Sequence, residues 1–366
     1  MWRTLLFLLL LAPLLAAQDT AQAAYKRGRT MRGEKQKQFA AEQAARFAGI
    51  AKGNDHRYMG FLWRWAGEDG KAADSFGAYL REMASAKAKN RELISFERTR
   101  SLVDAKRWGA VPAAAQDYLA EFRGQKRTGW IRFLEGRACR ATGKLEQALE
   151  SFQGAEIAGD KRAKYETVDC LVQLGKYPEA SQALNDKDDG SSRFATMRRA
   201  LPNLGLPLPK RLAFDYWAGT ELATSEVMEK PALWAFWSTK NTRKSMWLIH
   251  RVANEWATQF KGKLNCLGPH AYTKFDPIKM KTVDEMSAAT EQGFVADWYD
   301  QYKLEYPLVL MADHALHARC GVDPLLPALP AFAVSDKKGV LRYVRVGSSD
   351  FELEAVEAML TRVTSE

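Results

Sequence analysis

The chain has 366 residues, 46% of them hydrophobic and 27% charged, with a formal net charge of +10. That length suits two domains after removal of a leader, and nothing beyond the first 17 residues is apolar enough to cross a membrane. The charge is uneven. Residues 24–200 carry 34 Lys and Arg against 23 Asp and Glu, giving +11, whereas residues 201–366 carry 19 against 20, giving −1.

Residues 1–23 read as a secretory signal, with Arg3 in a short basic segment and an apolar run from Leu5 to Ala17 broken only by Pro13. The run is shorter than the ~20 residues a spanning helix needs. Ala21-Gln22-Ala23 offers a small-x-small cleavage site, and Ala17 a second. The expected location is therefore the periplasm or the exterior. Immediately after this leader, Lys26, Arg27, Arg29, Arg32, Lys35 and Lys37 form a basic arm, which suits an anionic lipid, an acidic polymer or an acidic protein partner. No nucleic-acid signature accompanies it.

From Gln36 to Asp186 the pattern is helical, with small residues at close-packing positions. A repeat is visible. Gly109, Ala114 and Tyr118 line up with Gly143, Ala148 and Phe152 at an offset of 34 residues, and Gly175, Ala180 and Leu184 follow 32 later. Gly70, Ala73 and Phe76 echo the unit upstream. Glycine ends one helix, alanine admits the second and an aromatic locks the pair. The unit resembles the tetratricopeptide repeat (TPR), best at 130–155, and the resemblance implies a stack of helical hairpins whose inner face binds peptides or helices. Domain boundaries are expected at 24–200 for the repeats, 201–211 for a linker carrying three prolines, and 212–366 for a second domain.

In that second domain Pro231–Trp237 reads as a buried strand and Thr242–Phe260 as an amphipathic helix with Trp247, Ile249, Val252 and Trp256 inward. Lys263–Gly268 reads as another strand, followed by a helix through Trp298, a strand over 306–311, a hairpin of 331–334 with 341–346, and a closing helix over 351–363. Four segments resemble the TlpA/ResA type of thioredoxin-like protein: Phe236-Trp237-Ser238-Thr239, Cys320-Gly321-Val322, Leu329-Pro330-Ala331-Phe332 and the Ser335–Gly339 turn. The resemblance implies an α/β thioredoxin-like domain whose proline loop, at Leu329-Pro330, lies beside the redox pair. Here Asn241 and Lys244 stand where the family carries Cys-x-x-Cys, so neither a thiolate nor a disulfide can form at the usual place.

Three functional readings follow. In the first, the protein is not an enzyme: the repeats and the proline-loop groove bind a protein or acidic peptide, with Trp237, Asn241, Lys244, Leu329 and Pro330 shaping the groove. In the second, a relocated Cys266/Cys320 pair carries thiol–disulfide exchange, or forms a structural disulfide across the active-site end of the sheet, with Cys139 and Cys170 as another candidate bridge. In the third, His314, His317 and Cys320, spaced i, i+3, i+6 and opposed by Cys266 and His270, bind copper or zinc. No phosphate loop, dinucleotide fingerprint or nucleophile elbow is present, so no cofactor is expected.

Overall fold

The computed structural model describes residues 20–187, 191–238, 243–279, 281–283, 286–322 and 330–366. Most of the expected leader lies outside them. The chain divides into two compact units, Met1–Thr142 with Glu150–Lys161, and Gly143–Leu149 with Arg162–Glu366.

The first part of the chain is helical: α1 (Ala21–Gly28), α2 (Gly33–Phe47), α3 (Asp55–Ala66), α4 (Asp69–Glu82), α5 (Ala88–Asp104), α6 (Val111–Glu121), α7 (Thr128–Ala141), α8 (Leu145–Ile157), α9 (Ala163–Gln173), α10 (Tyr177–Lys187) and α11 (Ser192–Ala200). The small and aromatic repeat positions do what their spacing predicts. Ala73, Ala114, Ala148 and Ala180 are buried, as are Phe76, Tyr118, Phe152 and Leu184. A Cβ on Gly136 would stand 2.7 Å from the Phe152 ring, so only glycine lets the aromatic seat there. Gly60 and Phe76 repeat the arrangement at 2.3 Å.

The glycine positions divide. Gly143 and Gly175 adopt φ of +76 and +75 as helix terminators, as expected. Gly109 instead sits in a 3₁₀ turn, and left-handed Lys106 (φ 54) turns the chain after α5. Gly70 lies inside α4, and Gly67 (φ +80) ends the helix before it.

The C-terminal part contains β1 (Tyr216–Ala218), α12 (Thr224–Met228), β2 (Ala232–Phe236), α13 (Arg243–Gln259), β3 (Asn265–Ala271), β4 (Phe275–Asp276), β5 (Lys281–Thr282), α14 (Ala288–Tyr302), β6 (Leu308–Met311), α15 (Ala315–Arg319), β7 (Ala331–Ser335), β8 (Leu341–Val346) and α16 (Asp350–Val363). One six-stranded sheet runs β1-β6-β3-β2-β7-β8, and β4-β5 is a separate ribbon. β2, β3 and β6 are mutually parallel, while β7 and β8 pair antiparallel on the other side of β2. This β-α-β then β-β-α core is thioredoxin-like, preceded by all-α TPR-like repeats. Its central strands are buried on both faces, which is why they read as unbroken apolar runs.

Two expectations shift in detail. The strand expected at 263–268 runs over Asn265–Ala271, through Pro269. The β2–β3 register ends at Leu267, so the donor that Pro269 lacks is not needed there. The division between units falls at 161/162, not at the proline-rich stretch. Residues 162–204 belong to the core around the sheet: Tyr165, Val168, Leu171, Phe194 and Met197 are buried with it. The proline stretch is no free spacer either. Gly205 and Leu208 donate to Leu341 O and Gly339 O at 2.8 Å, and Leu341 donates to Leu206 O at 3.0 Å, so the stretch is stitched along the start of β8.

A buried polar network fastens α9 to β8. Arg345 reaches Glu166 Oε1 at 2.7 Å and Asp169 Oδ1 at 2.8 Å, with its guanidinium 4.6 Å from the Tyr165 ring centre. Tyr343 donates to Asp169 at 2.7 Å, and Gln173 to the same carboxylate at 2.8 Å.

Candidate functional site

The carboxyl end of β2 defines the candidate site. β2 ends at Phe236, which pairs with Ala331, so Pro330 and Ala331 stand beside the exit from β2. Pro330 is buried, and its carbonyl accepts from Gly347 N at 2.9 Å. α13 starts within a few residues of the same end, with Lys244 in its first turn. Asn241 and Leu329 lie outside the described residues.

Imidazoles and aromatics pack around Trp237. Its Nε1 donates to Gly268 O at 2.9 Å, and its ring centre lies 4.4 Å from His270, 5.4 Å from His250 and 5.4 Å from Trp298. Nδ1 of His250 meets the Tyr306 hydroxyl at 2.9 Å. His317 sits edge-on to Phe236 at 5.0 Å. Among the described residues, His250 Nε2 and His317 Nδ1 are buried with no hydrogen-bond partner. Burial holds His250 down to about 4. Burial, then the neighbouring His270 and His314, hold His317 at about 3. Both rings are therefore neutral aromatic packing at neutral pH.

His270 has a different neighbour. Its Nε2 lies 3.4 Å from Glu291 Oε1, an ion-pair distance. That carboxylate also accepts from Thr273 N at 2.8 Å, Thr273 Oγ1 at 3.0 Å and Lys274 N at 3.1 Å. Burial opposes its ionisation, but the His270 contact and the two backbone donors outweigh that and keep it below the usual glutamate range.

The cysteine expectations are corrected. No disulfide is present among the described residues, and all four cysteine side chains are buried. Cys266 faces Leu233, near the start of β2, whereas the site lies at its end. Because β3 begins later than expected, Cys266 opens the strand and His270 comes near its close, roughly 13 Å further on at ~3.3 Å per residue. Cys266 and His270 therefore cannot share a ligand, and Cys266 does not approach the site. Burial pushes the Cys266 thiol up to about 12 and raises Cys320 further, so neither supplies a thiolate at neutral pH. Cys139 and Cys170 fall in different compact units. No cluster of three metal-ligating side chains occurs among the described residues. His314 is exposed, while His317 and Cys320 turn into the core.

Trp247 is also corrected. The inward face of α13 is Met246, Ile249, Ala253 and Trp256, and Trp247 is 47% exposed. The Arg251 guanidinium lies 5.3 Å from its ring centre. A large aromatic left in solvent one turn after Lys244 is the residue that sequence reasoning missed. The histidine cluster could have been found, since four of the chain's five histidines lie in residues 250–317.

No protein-family model matches the chain, and no curated protein matches it in sequence. Among solved structures, a thioredoxin-like protein in its oxidised form is similar over 43% of this chain and 95% of its own, at 22% identity and a TM-score of 0.33. A thiol-disulfide isomerase from Corynebacterium glutamicum covers 44% of this chain and 97% of its own, at 15% identity and 0.33. A TPR-repeat protein from Bacteroides fragilis covers 50% of this chain and 93% of its own, at 15% identity and 0.28. At such identities and TM-scores no residue role passes from those proteins to this one.

Proposed function

We propose that this protein is an exported binding module of TlpA-like type, in which the dithiol site of a thioredoxin-like domain has become a peptide-binding surface without redox chemistry. The carrying observation is the state of the sulfur. The two positions of the family's redox pair are Asn241 and Lys244, and the thiols of the same domain are buried and protonated. Thiol–disulfide exchange needs an accessible thiolate. Exposed Trp247 offers instead a rigid aromatic anchor with the Arg251 guanidinium over its ring, of the kind that dominates peptide interfaces. Lys244 adds a positive charge to the same helix, and an acidic peptide is the ligand these groups favour. The TPR-like repeats supply a second peptide-binding surface.

The test has two arms. Insulin reduction by dithiothreitol in the presence of the purified protein should run at the uncatalysed rate; acceleration that Cys320→Ser removes would establish the redox reading. Screening immobilised acidic, neutral and basic peptides should give acidic binders whose affinity falls about tenfold or more in Trp247→Ala.

A further inference from the structure

The basic arm does not dangle. Thr20 caps α1 through its hydroxyl, accepting from Ala23 N at 3.2 Å, and Tyr25 stacks on Trp65 at 5.0 Å with 6° between the planes. Thr30 and Arg32 fasten the turn into α2, Thr30 Oγ1 donating to Arg27 O at 2.8 Å and Arg32 Nη1 to Arg29 O at 2.9 Å. Gln36 Nε2 reaches back to Gly28 O at 3.0 Å. Lys26, Arg27, Arg29, Arg32, Lys35 and Lys37 are all exposed on this hairpin, against two acids, Glu34 and Glu42, between Ala21 and Phe47. Two of these cations, Arg32 and Lys35, line a groove of about 750 Å³ with Thr30, Met31, Gln38, Phe39 and Glu42, and the Arg27 guanidinium lies 5.9 Å from the Phe39 ring centre.

We infer that the α1–α2 hairpin docks on an anionic lipid surface. Charge complementarity argues for it, because six ordered cations present a field that headgroup phosphates satisfy. The half-buried Met31 and Phe39 among these cations give the face the mixed character of an element that sits at the boundary of headgroups and acyl chains. Under the proposed export, the apolar run Leu5–Ala17 ends three residues before the Thr20 cap, which puts this hairpin directly behind the segment that would meet the membrane. The inference concerns the helical unit alone and stands whether or not the Trp247 surface binds peptides.

Flotation of the full chain with vesicles of phosphatidylcholine, alone or mixed with phosphatidylglycerol, tests it. Binding should be at least about tenfold tighter to the mixed vesicles and should weaken as salt shortens the Debye length. The quadruple variant Lys26→Gln, Arg29→Gln, Lys35→Gln, Lys37→Gln should lose that preference, each cation being worth roughly fivefold. Binding to pure phosphatidylcholine should stay the same, because a surface without net charge does not read these cations. A variant with Arg29→Lys and Lys35→Arg should bind as the parent does. Equal binding to both vesicles, salt-independent binding, or an undiminished quadruple variant overturns the inference. Soluble polyglutamate that displaces the vesicles at equal charge concentration overturns it in favour of an acidic polymer.

Discussion

Arg345 on β8 and Glu166 on α9 meet at 2.7 Å with both side chains excluded from solvent. They are 179 residues apart in the chain. The guanidinium stays charged because Asp169 and Glu166 more than offset its desolvation. Removing one member of such a group leaves an uncompensated charge in the core. Arg345→Met should therefore cost about 3–5 kcal/mol in urea unfolding of the full chain, whereas replacing Arg345, Glu166 and Asp169 together by apolar residues should cost far less. The same network, with Arg362 Nη1 donating to Gln173 O at 2.6 Å, makes α9–α11 part of the sheet's own core. Residues 201–366 alone should fail to give a cooperative melt, and residues 162–366 should give one. A cooperative 201–366 fragment would contradict this account of where the unit begins.

Packing at the repeats gives a paired test. Gly136→Ala places a methyl against the Phe152 ring and should destabilise by about 1–3 kcal/mol, read as a fall in the urea midpoint. Gly293, on an exposed stretch of α14, would meet nothing within 4 Å. Gly293→Ala should raise stability by about 0.5–1 kcal/mol through helix propensity. Equal effects of the two changes would show that close approach is not what the repeat glycine provides.

Acid should loosen the protein. An unfolded histidine protonates near 6.5, but His250 in the folded state resists until about 4 and His317 until about 3. Protons therefore bind the unfolded state preferentially as pH falls below 6.5, and stability declines through that window, by roughly 3 kcal/mol for His250. The lowered Glu291 acts in the same direction at still lower pH. His317→Leu, which removes a ring with an unpartnered Nδ1, should flatten the decline between pH 6.5 and 4 in urea titrations. An unchanged slope would mean that the ring is hydrated.

Thiol mapping gives a fourth outcome. Cys266 and Cys320 should resist iodoacetamide in the native protein. Both should be alkylated after denaturation without reductant, as peptide masses would report. A disulfide-linked peptide containing either residue would count against the unbridged geometry.

The proposed export makes a prediction at the N-terminus. Cleavage after Ala23 would remove the Thr20 cap and buried Ala21, whereas cleavage after Ala17 leaves α1 intact. Intact-mass measurement of protein recovered from an exporting host should place the first residue at Gln18. A start at Ala24 would mean that α1 is dispensable to the fold.

Much of this architecture was legible along the chain. Strands buried on both faces appear as unbroken apolar runs, so Pro231–Trp237 and Tyr306–Met311 fall within a residue or two of β2 and β6. Repeat positions such as Ala148 and Phe152 were legible because their packing partners lie one helix away. Trp247 was misjudged because a helix rotated by a single position changes which apolar residue faces the core. Cys266 was placed at the wrong end of the sheet because Gly268-Pro269 reads as a strand end, and only the neighbouring ladder reveals whether proline's missing donor is needed.

Local periodicity and steric economy thus determined, from the sequence alone, the helical repeats and the order of strands and helices, whereas Asn241 and Lys244 stand at a dithiol's positions only as the resemblance to a thioredoxin-like family implies. The tertiary structure decided which groups are out of water and what faces them: the buried thiols, the imidazoles around Trp237, the Arg345 network and the membership of α9–α11 in the second unit. Burial and long-range pairing depend on register between segments over a hundred residues apart, as from Asp169 to Tyr343. A linear pattern carries no record of that distance.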